Sequence, residues 1–216
     1  MKSRREFLTL GASALPALAL TACATQTPIK LASTPTDTLA GSSCKKGGAG
    51  ASAKYFPTLV VMTHEGRKAW FYDDLIKGKI VGINFMSVKG EDKLPVTANM
   101  VKVQELVGDR LGRDVFMVSI STDPEHDTPA VLEAFAKRHG AKDGWVFVTG
   151  KPEEINALMH HLGAHGHGGA GSHHSFRYGN ENYARWASFH ALARPEEIAQ
   201  RFDWVTVHEI PSSPKA

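Results

Sequence analysis

The chain has 216 residues, of which 42% are hydrophobic, and a formal net charge of +3. That length and apolar content suit one compact domain with additional segments at its ends. So small a charge argues against nucleic acid as a partner, because binding it needs a concentrated basic face.

The first residues read MKSRREFLTLGASALPALALTAC, with Arg4 and Arg5 ahead of Phe7 and Leu8 and an apolar stretch that ends in Leu20-Thr21-Ala22-Cys23. The apolar part is too short to serve as a membrane-spanning helix. A serine, two arginines, a variable residue, Phe and Leu resemble a bacterial twin-arginine export signal. Leu-Thr-Ala-Cys resembles the lipobox at which a bacterial lipoprotein is cleaved, leaving Cys23 as the lipid-carrying first residue. An ordinary signal peptide with a chance cysteine is the competing reading. Cleavage removes Lys2, Arg4, Arg5 and Glu6, three positive charges and one negative, and leaves a net charge of +1. Ala24 stands where an aspartate often signals inner-membrane retention, which favours the outer membrane over the inner one. Either way the expected location is the periplasmic side of a bacterial membrane.

Cys23 and Cys44 are the two cysteines. If Cys23 is acylated, Cys44 has no partner within the chain, so an export route that would permit a disulfide is not used for one. Cys44 lies in GSSCKKGGAGASAK, a Gly/Ser/Lys-rich flexible linker, where nearby lysines would favour a reactive thiolate. The expected organisation is an export signal and lipobox over 1–23, a linker over 24–54, a folded domain over 55–207 and a tail over 208–216.

The folded part alternates regularly. FPTLVVM over 56–62 reads as a strand, followed by a turn at His64-Glu65-Gly66-Arg67. KIVGINFM over 79–86 is a continuous apolar run of strand length, as expected of a strand buried on both faces. After Pro95, the spacing of Met100, Val103, Val107 and Leu111 predicts a helix closed by Gly112. A strand over 115–120 follows. Thr128 and Pro129 then form a cap and first-turn proline for a helix that ends at Gly140. WVFV over 145–148 is a further strand, and Pro152 starts a helix with Ile155, Leu158, Met159 and Leu162 on one face and Gly163 at its end. Residues 176–186 read as a hairpin turning at Gly179-Asn180, and a last helix runs from Pro195 to about Phe202. This order predicts an α/β fold with a mixed central sheet, helices on both faces, and a C-terminal hairpin and helix.

On these segments the chain resembles the Sco family, thioredoxin-fold copper proteins that help assemble the copper centre of cytochrome c oxidase. The resemblance rests on GKIVGINFM, VTANMVKVQELVGDRLG, DVFMVSISTDPEHDTPAVLEAFAKRHGA, GWVFVTGKPEEI and RYGNENYARWASFHAL. It implies a thioredoxin-like fold, copper as the metal, and a cytochrome oxidase subunit or another copper protein as the partner. The family carries Cys-x-x-x-Cys-Pro after the NFM-type strand, and those thiolates with one distant histidine hold copper. Here the positions facing the two cysteines are Gly90 and Leu94, followed by Pro95. Soft thiolates select Cu(I), and only a dithiol exchanges with a disulfide, so neither the usual site nor a redox enzyme is expected. The resemblance places the family histidine at His173 or His174, and the family aspartate of the Asp-Pro turn at Asp123. That carboxylate equally suits a cap for the turn into the helix at Thr128.

MHHLGAHGHGGAGSHHSF, over 159–176, holds His160, His161, His165, His167, His173 and His174, six of the chain's eleven histidines. Glycines among them let the backbone bend, and neutral imidazole accepts zinc, copper(II) or nickel(II). Metal binding, if present, is expected on this tract. A solvated loop without specific ligands is the plain alternative, and His160 and His161 also suit the end of a helix, where cationic side chains are favoured. His64, His126, His139, His190 and His208 read as isolated, Glu91, Asp92 and Lys93 as a solvated turn, and Met86, Met100, Met117 and Met159 as core filling. Two other functions compete with metal handling. One is a metal-free interaction module on the Sco shell. The other is a thiol oxidoreductase using Cys44 between two chains.

Overall fold

The computed structural model describes residues 50, 52–163 and 174–206. Strand β1 (Val60–Thr63) turns into β2 (Lys68–Trp70), which runs directly into helix α1 (Phe71–Leu75). Strand β3 (Ile80–Met86), helix α2 (Val96–Val107), strand β4 (Val115–Ser121), helix α3 (Pro129–Arg138), strand β5 (Trp145–Thr149) and helix α4 (Pro152–His161) follow. Strands β6 (Ser175–Asn180) and β7 (Arg185–His190) form a hairpin, and helix α5 (Pro195–Thr206) ends the described part.

The sheet has seven strands in the order β2-β1-β5-β4-β3-β6-β7. Its centre is parallel, β3 with β4 and β4 with β5, while β1 and β6 pair antiparallel on either side. Parallel neighbours need crossover helices, and α2 and α3 supply them. Every residue of β3 is buried, as its apolar run requires of a central strand covered on both faces.

Two cores lie on the two faces. One packs α1 and α4 on Val81, Ile83 and Phe85 of β3, and the other packs α2, α3 and α5 on Ile80 and Met86 of the same strand. Gly82 is what lets α5 come close: a Cβ there would lie 2.7 Å from the Phe202 ring and 2.5 Å from Phe176.

Two features differ from the sequence expectation. The turn at 64–67 leads into a further strand and helix, β2 and α1, for which the sequence pattern gave no expectation. The C-terminal hairpin turns at Glu181–Ala184, not at Gly179-Asn180, and Ala184 carries the left-handed conformation at φ 50°. Gly179 stays in the ladder opposite Trp186, because the Arg185 carbonyl comes within 2.3 Å of where a Cβ would sit.

The N-terminal end of the described chain is clasped to the domain by Glu181. Its buried carboxylate accepts the Ser52 amide at 2.8 Å, the Tyr72 hydroxyl at 2.5 Å and the Gly78 amide at 2.8 Å. Burial pushes this carboxyl up, but the Tyr72, Gly78 and Ser52 hydrogen bonds outweigh it and hold it below its ordinary range.

Candidate functional site

Helices α2 and α3 start where β3 and β4 end, so their first turns and the connections before them meet at one edge of the sheet. In an open α/β sheet ligands bind outside the carboxyl ends of the strands. Between Met86 and Val96 the backbone folds into closed turns. The Gly90 amide donates to the Ser87 carbonyl at 3.1 Å and to its hydroxyl at 3.0 Å, and the Lys93 and Leu94 amides donate to the Gly90 carbonyl at 3.1 and 3.0 Å. Leu94 leans on the α2 core, while Asp92 and Lys93 face solvent.

Glu91 departs from the solvated turn expected of it. Its side chain is 9% exposed, and its two oxygens accept the Thr97 and Ala98 amides at 3.1 and 2.8 Å. Pro95, at the N-cap position, has no side-chain acceptor to offer, so Glu91 satisfies the first turn of α2 from outside the helix. A negative charge there also complements the helix dipole.

The connection after β4 is tied to the one after β3. The Thr122 amide donates to the Met86 carbonyl at 2.8 Å, and the Val88 amide to Asp127 at 3.2 Å. Asp127 is buried and also accepts the Ser121 hydroxyl at 2.6 Å, so it is the carboxylate that holds this turn together. Asp123 pairs instead with His126, with Oδ1 at 2.7 Å from Nδ1. That hydrogen bond, with the carboxylate charge, pushes the His126 imidazole up. The cap of α3 is Thr128, whose hydroxyl accepts the Val131 amide at 3.4 Å.

The histidines fall into separate places. His160 and His161 end α4, and the His161 ring contacts the Tyr55 ring at 5.7 Å and the Tyr55 carbonyl. His174 immediately precedes β6, and its ring centre lies 5.6 Å from that of His190. His190 is not isolated, as the sequence suggested, but lies beside His174. The signal for it is the hairpin register, Ser175 opposite His190, which brings position 174 to the end of β7. His165, His167, His173 and Cys23 lie outside the described residues. Among the described residues no group of three metal-capable side chains converges.

Arg177, between these regions, donates to the Leu162 carbonyl at 3.1 Å and to the Tyr55 hydroxyl, with its guanidinium 5.5 Å over the Tyr55 ring. It therefore joins the end of α4 to the start of β6. Burial lowers its affinity for its proton.

The fold and this edge define a thioredoxin-like α/β protein whose connection after β3 holds no thiol. A family model described as SCO1/SenC matches residues 60–179, more than half of the chain. The protein belongs to the SCO1/SenC family. It is 30% identical over 125 residues to Protein SenC of Rhodobacter capsulatus, an alignment covering 58% of this chain and 55% of that protein. The match thus spans about half the length of that relative. Yeast Sco1 with copper bound superimposes with a TM-score of 0.58 at 14% identity, covering 79% of this chain and all of that one. A SCO1/SenC family lipoprotein of Bacillus anthracis gives 0.54 at 21% identity, covering 70% and 95%. These likenesses bear out the expected fold. The donors at the turn do not suit copper(I), because Gly90 and Leu94 offer no soft ligand. Imidazole suits copper(II) instead.

Proposed function

We propose that this chain is an exported, lipid-anchored Sco protein that works in copper handling or cytochrome oxidase assembly without the dithiol site. Its metal is copper, bound through imidazole of the histidine-rich segment, with His173 or His174, His165, His167, His161 and His160 as the candidate ligands and Asp123 as a candidate acidic ligand. The observation that carries the reading is the turn itself: Gly90 and Leu94 sit in hydrogen-bonded turns and Glu91 is committed to capping α2. Such a connection is structural, so chemistry must come from elsewhere.

Membership in a family of cytochrome c oxidase assembly proteins supports an oxidase subunit or another copper protein as the partner. Export and acylation at Cys23 would place the domain on the periplasmic side of a bacterial membrane. The kinship with a SCO1/SenC lipoprotein supports that placement. No helix among the described residues is long and apolar enough to cross a membrane. The turn after β3 supplies neither the attacking nor the resolving thiol that disulfide exchange needs, which leaves Cys44 between two chains as the less favoured reading.

Metal analysis of the protein isolated from its own membrane tests the reading. About one copper per chain, lost when the histidines of 160–174 are replaced, is expected. Metal-free protein that still co-purifies with an oxidase would establish the interaction-module reading in its place.

A further inference from the structure

We propose that His174 and His190 together form a two-imidazole site for a divalent copper ion, at the open end of the β6–β7 hairpin. The proposal deepens the reading above and rests on it for the identity of the metal. With metal–nitrogen bonds of about 2.0–2.1 Å, two imidazoles on one ion place their ring centres roughly 4.5–6.4 Å apart, from cis to trans. The observed separation of 5.6 Å falls within that span.

The backbone holds the pair in place. The Ala191 amide donates to the His174 carbonyl at 2.5 Å, closing the hairpin just beyond the Ser175–His190 pair. One side-chain amide, Asn99 of α2, donates to both the Ala191 and the Ala193 carbonyls at 2.9 Å. The segment that carries His190 is thereby fixed to the helix whose first turn Glu91 caps. His190 is exposed and His174 half-buried, so an ion can reach them from solvent.

The remaining contact at His190 is long: its Nδ1 accepts the Leu192 amide at 3.2 Å, and coordination replaces that bond. Two imidazoles and no converging carboxylate leave the other positions of the ion to water. Such a site suits an exchangeable ion better than a buried structural one. Copper(II) is favoured over zinc by the general order of divalent affinities.

The test is titration of Cu(II) alone into the full chain, read by calorimetry and by the nitrogen couplings in the electron paramagnetic spectrum. The variants are His174→Ala, His190→Asn, the double variant, and His165→Ala with His167→Ala. Asparagine at 190 still offers an oxygen to the Leu192 amide, so the hairpin end keeps its acceptor while the imidazole is lost. Each single change at the pair should weaken binding at least tenfold and remove one coupled nitrogen, and the double change should remove both couplings and weaken binding further than either single change. Parent affinity in His190→Asn would overturn the pair. If binding is then lost in the His165/His167 variant, the pair falls while the histidine-segment reading stands. The reverse pattern keeps the pair and removes those two ligands from the reading. A parent chain that binds no Cu(II) would end both.

Discussion

The carboxylate of Glu91, the residue just after the position that faces the first cysteine of a dithiol-bearing relative, accepts the amide of Ala98 at 2.8 Å. With a second bond to the Thr97 amide at 3.1 Å, it turns the connection after β3 into a helix cap. Glu91→Ala leaves two first-turn amides without their acceptor and should cost about 1–2 kcal/mol of stability. Asp92→Ala, at an exposed neighbouring position, should stay within about 0.5 kcal/mol of the parent. Urea unfolding of both variants checks this, and equal midpoints would remove Glu91 from its capping role.

Restoring the thiols should restore the missing chemistry. A Cβ at Gly90 would lie 2.6 Å from the Ser87 hydroxyl, so Gly90→Cys must displace that hydroxyl from the Gly90 amide. Combining Gly90→Cys and Leu94→Cys with Ser87→Ala clears the space. The triple variant should bind about one equivalent of Cu(I), while the parent turn binds none. The measurement is competition with a chromogenic Cu(I) chelator, and a folded triple variant that fails to compete would mean the turn no longer presents positions 90 and 94 together.

His64 makes stability depend on pH. Its Nδ1 accepts the Phe147 amide at 3.2 Å, taking over where the β1–β5 ladder stops. Burial lowers its pKa below the ordinary value, against the opposing pull of Glu65, the Phe147 backbone and Glu133, and with a smaller push from Arg67 in the same direction. Between the lowered folded pKa and about 6.5 the unfolded chain binds the extra proton, so stability rises with pH through that window. It is fully present above 6.5 and is lost as pH falls through the folded value. His126 has the opposite sign, because its pairing with Asp123 raises its pKa. Urea midpoints at pH 7.5 and 5.0 should therefore differ less in His64→Gln than in the parent, and an unchanged difference would contradict this.

Glu181 clasps Ser52, Tyr72 and Gly78. Glu181→Ala strands three donors beneath the segment around Phe56 and should cost about 3 kcal/mol or more. Hydrogen exchange should show the Ser52 and Gly78 amides losing protection first. Protection equal to the parent's would contradict the clasp.

The strongest parts of the fold were legible because their causes are local. The run over 79–86 has the length and continuous apolar character of a doubly covered strand, and Thr128-Pro129 and Pro152 mark helix starts by their own chemistry. Strand β2 and helix α1, three and five residues long, are too short to show a period. Gly179-Asn180 has the composition of a turn, yet Gly179 is needed for a close cross-strand approach, which only the three-dimensional pairing reveals. The capping carboxylate of Glu91 and the meeting of His174 with His190 escaped for the same reason: each depends on chain segments coming together from a distance along the backbone or across a hairpin.

The central claim is that metal affinity has left the 90–94 turn for the histidines. Isothermal titration of Cu(II) at pH 7.5 tests it on three proteins: the parent, a variant with His165, His167, His173 and His174 replaced by alanine, and Glu91→Gln with Asp92→Asn. The account predicts binding in the parent and in the acidic-turn variant with affinities within about twofold, and none in the histidine variant. Equal affinity in the parent and the histidine variant, or loss of binding in the acidic-turn variant alone, would contradict it.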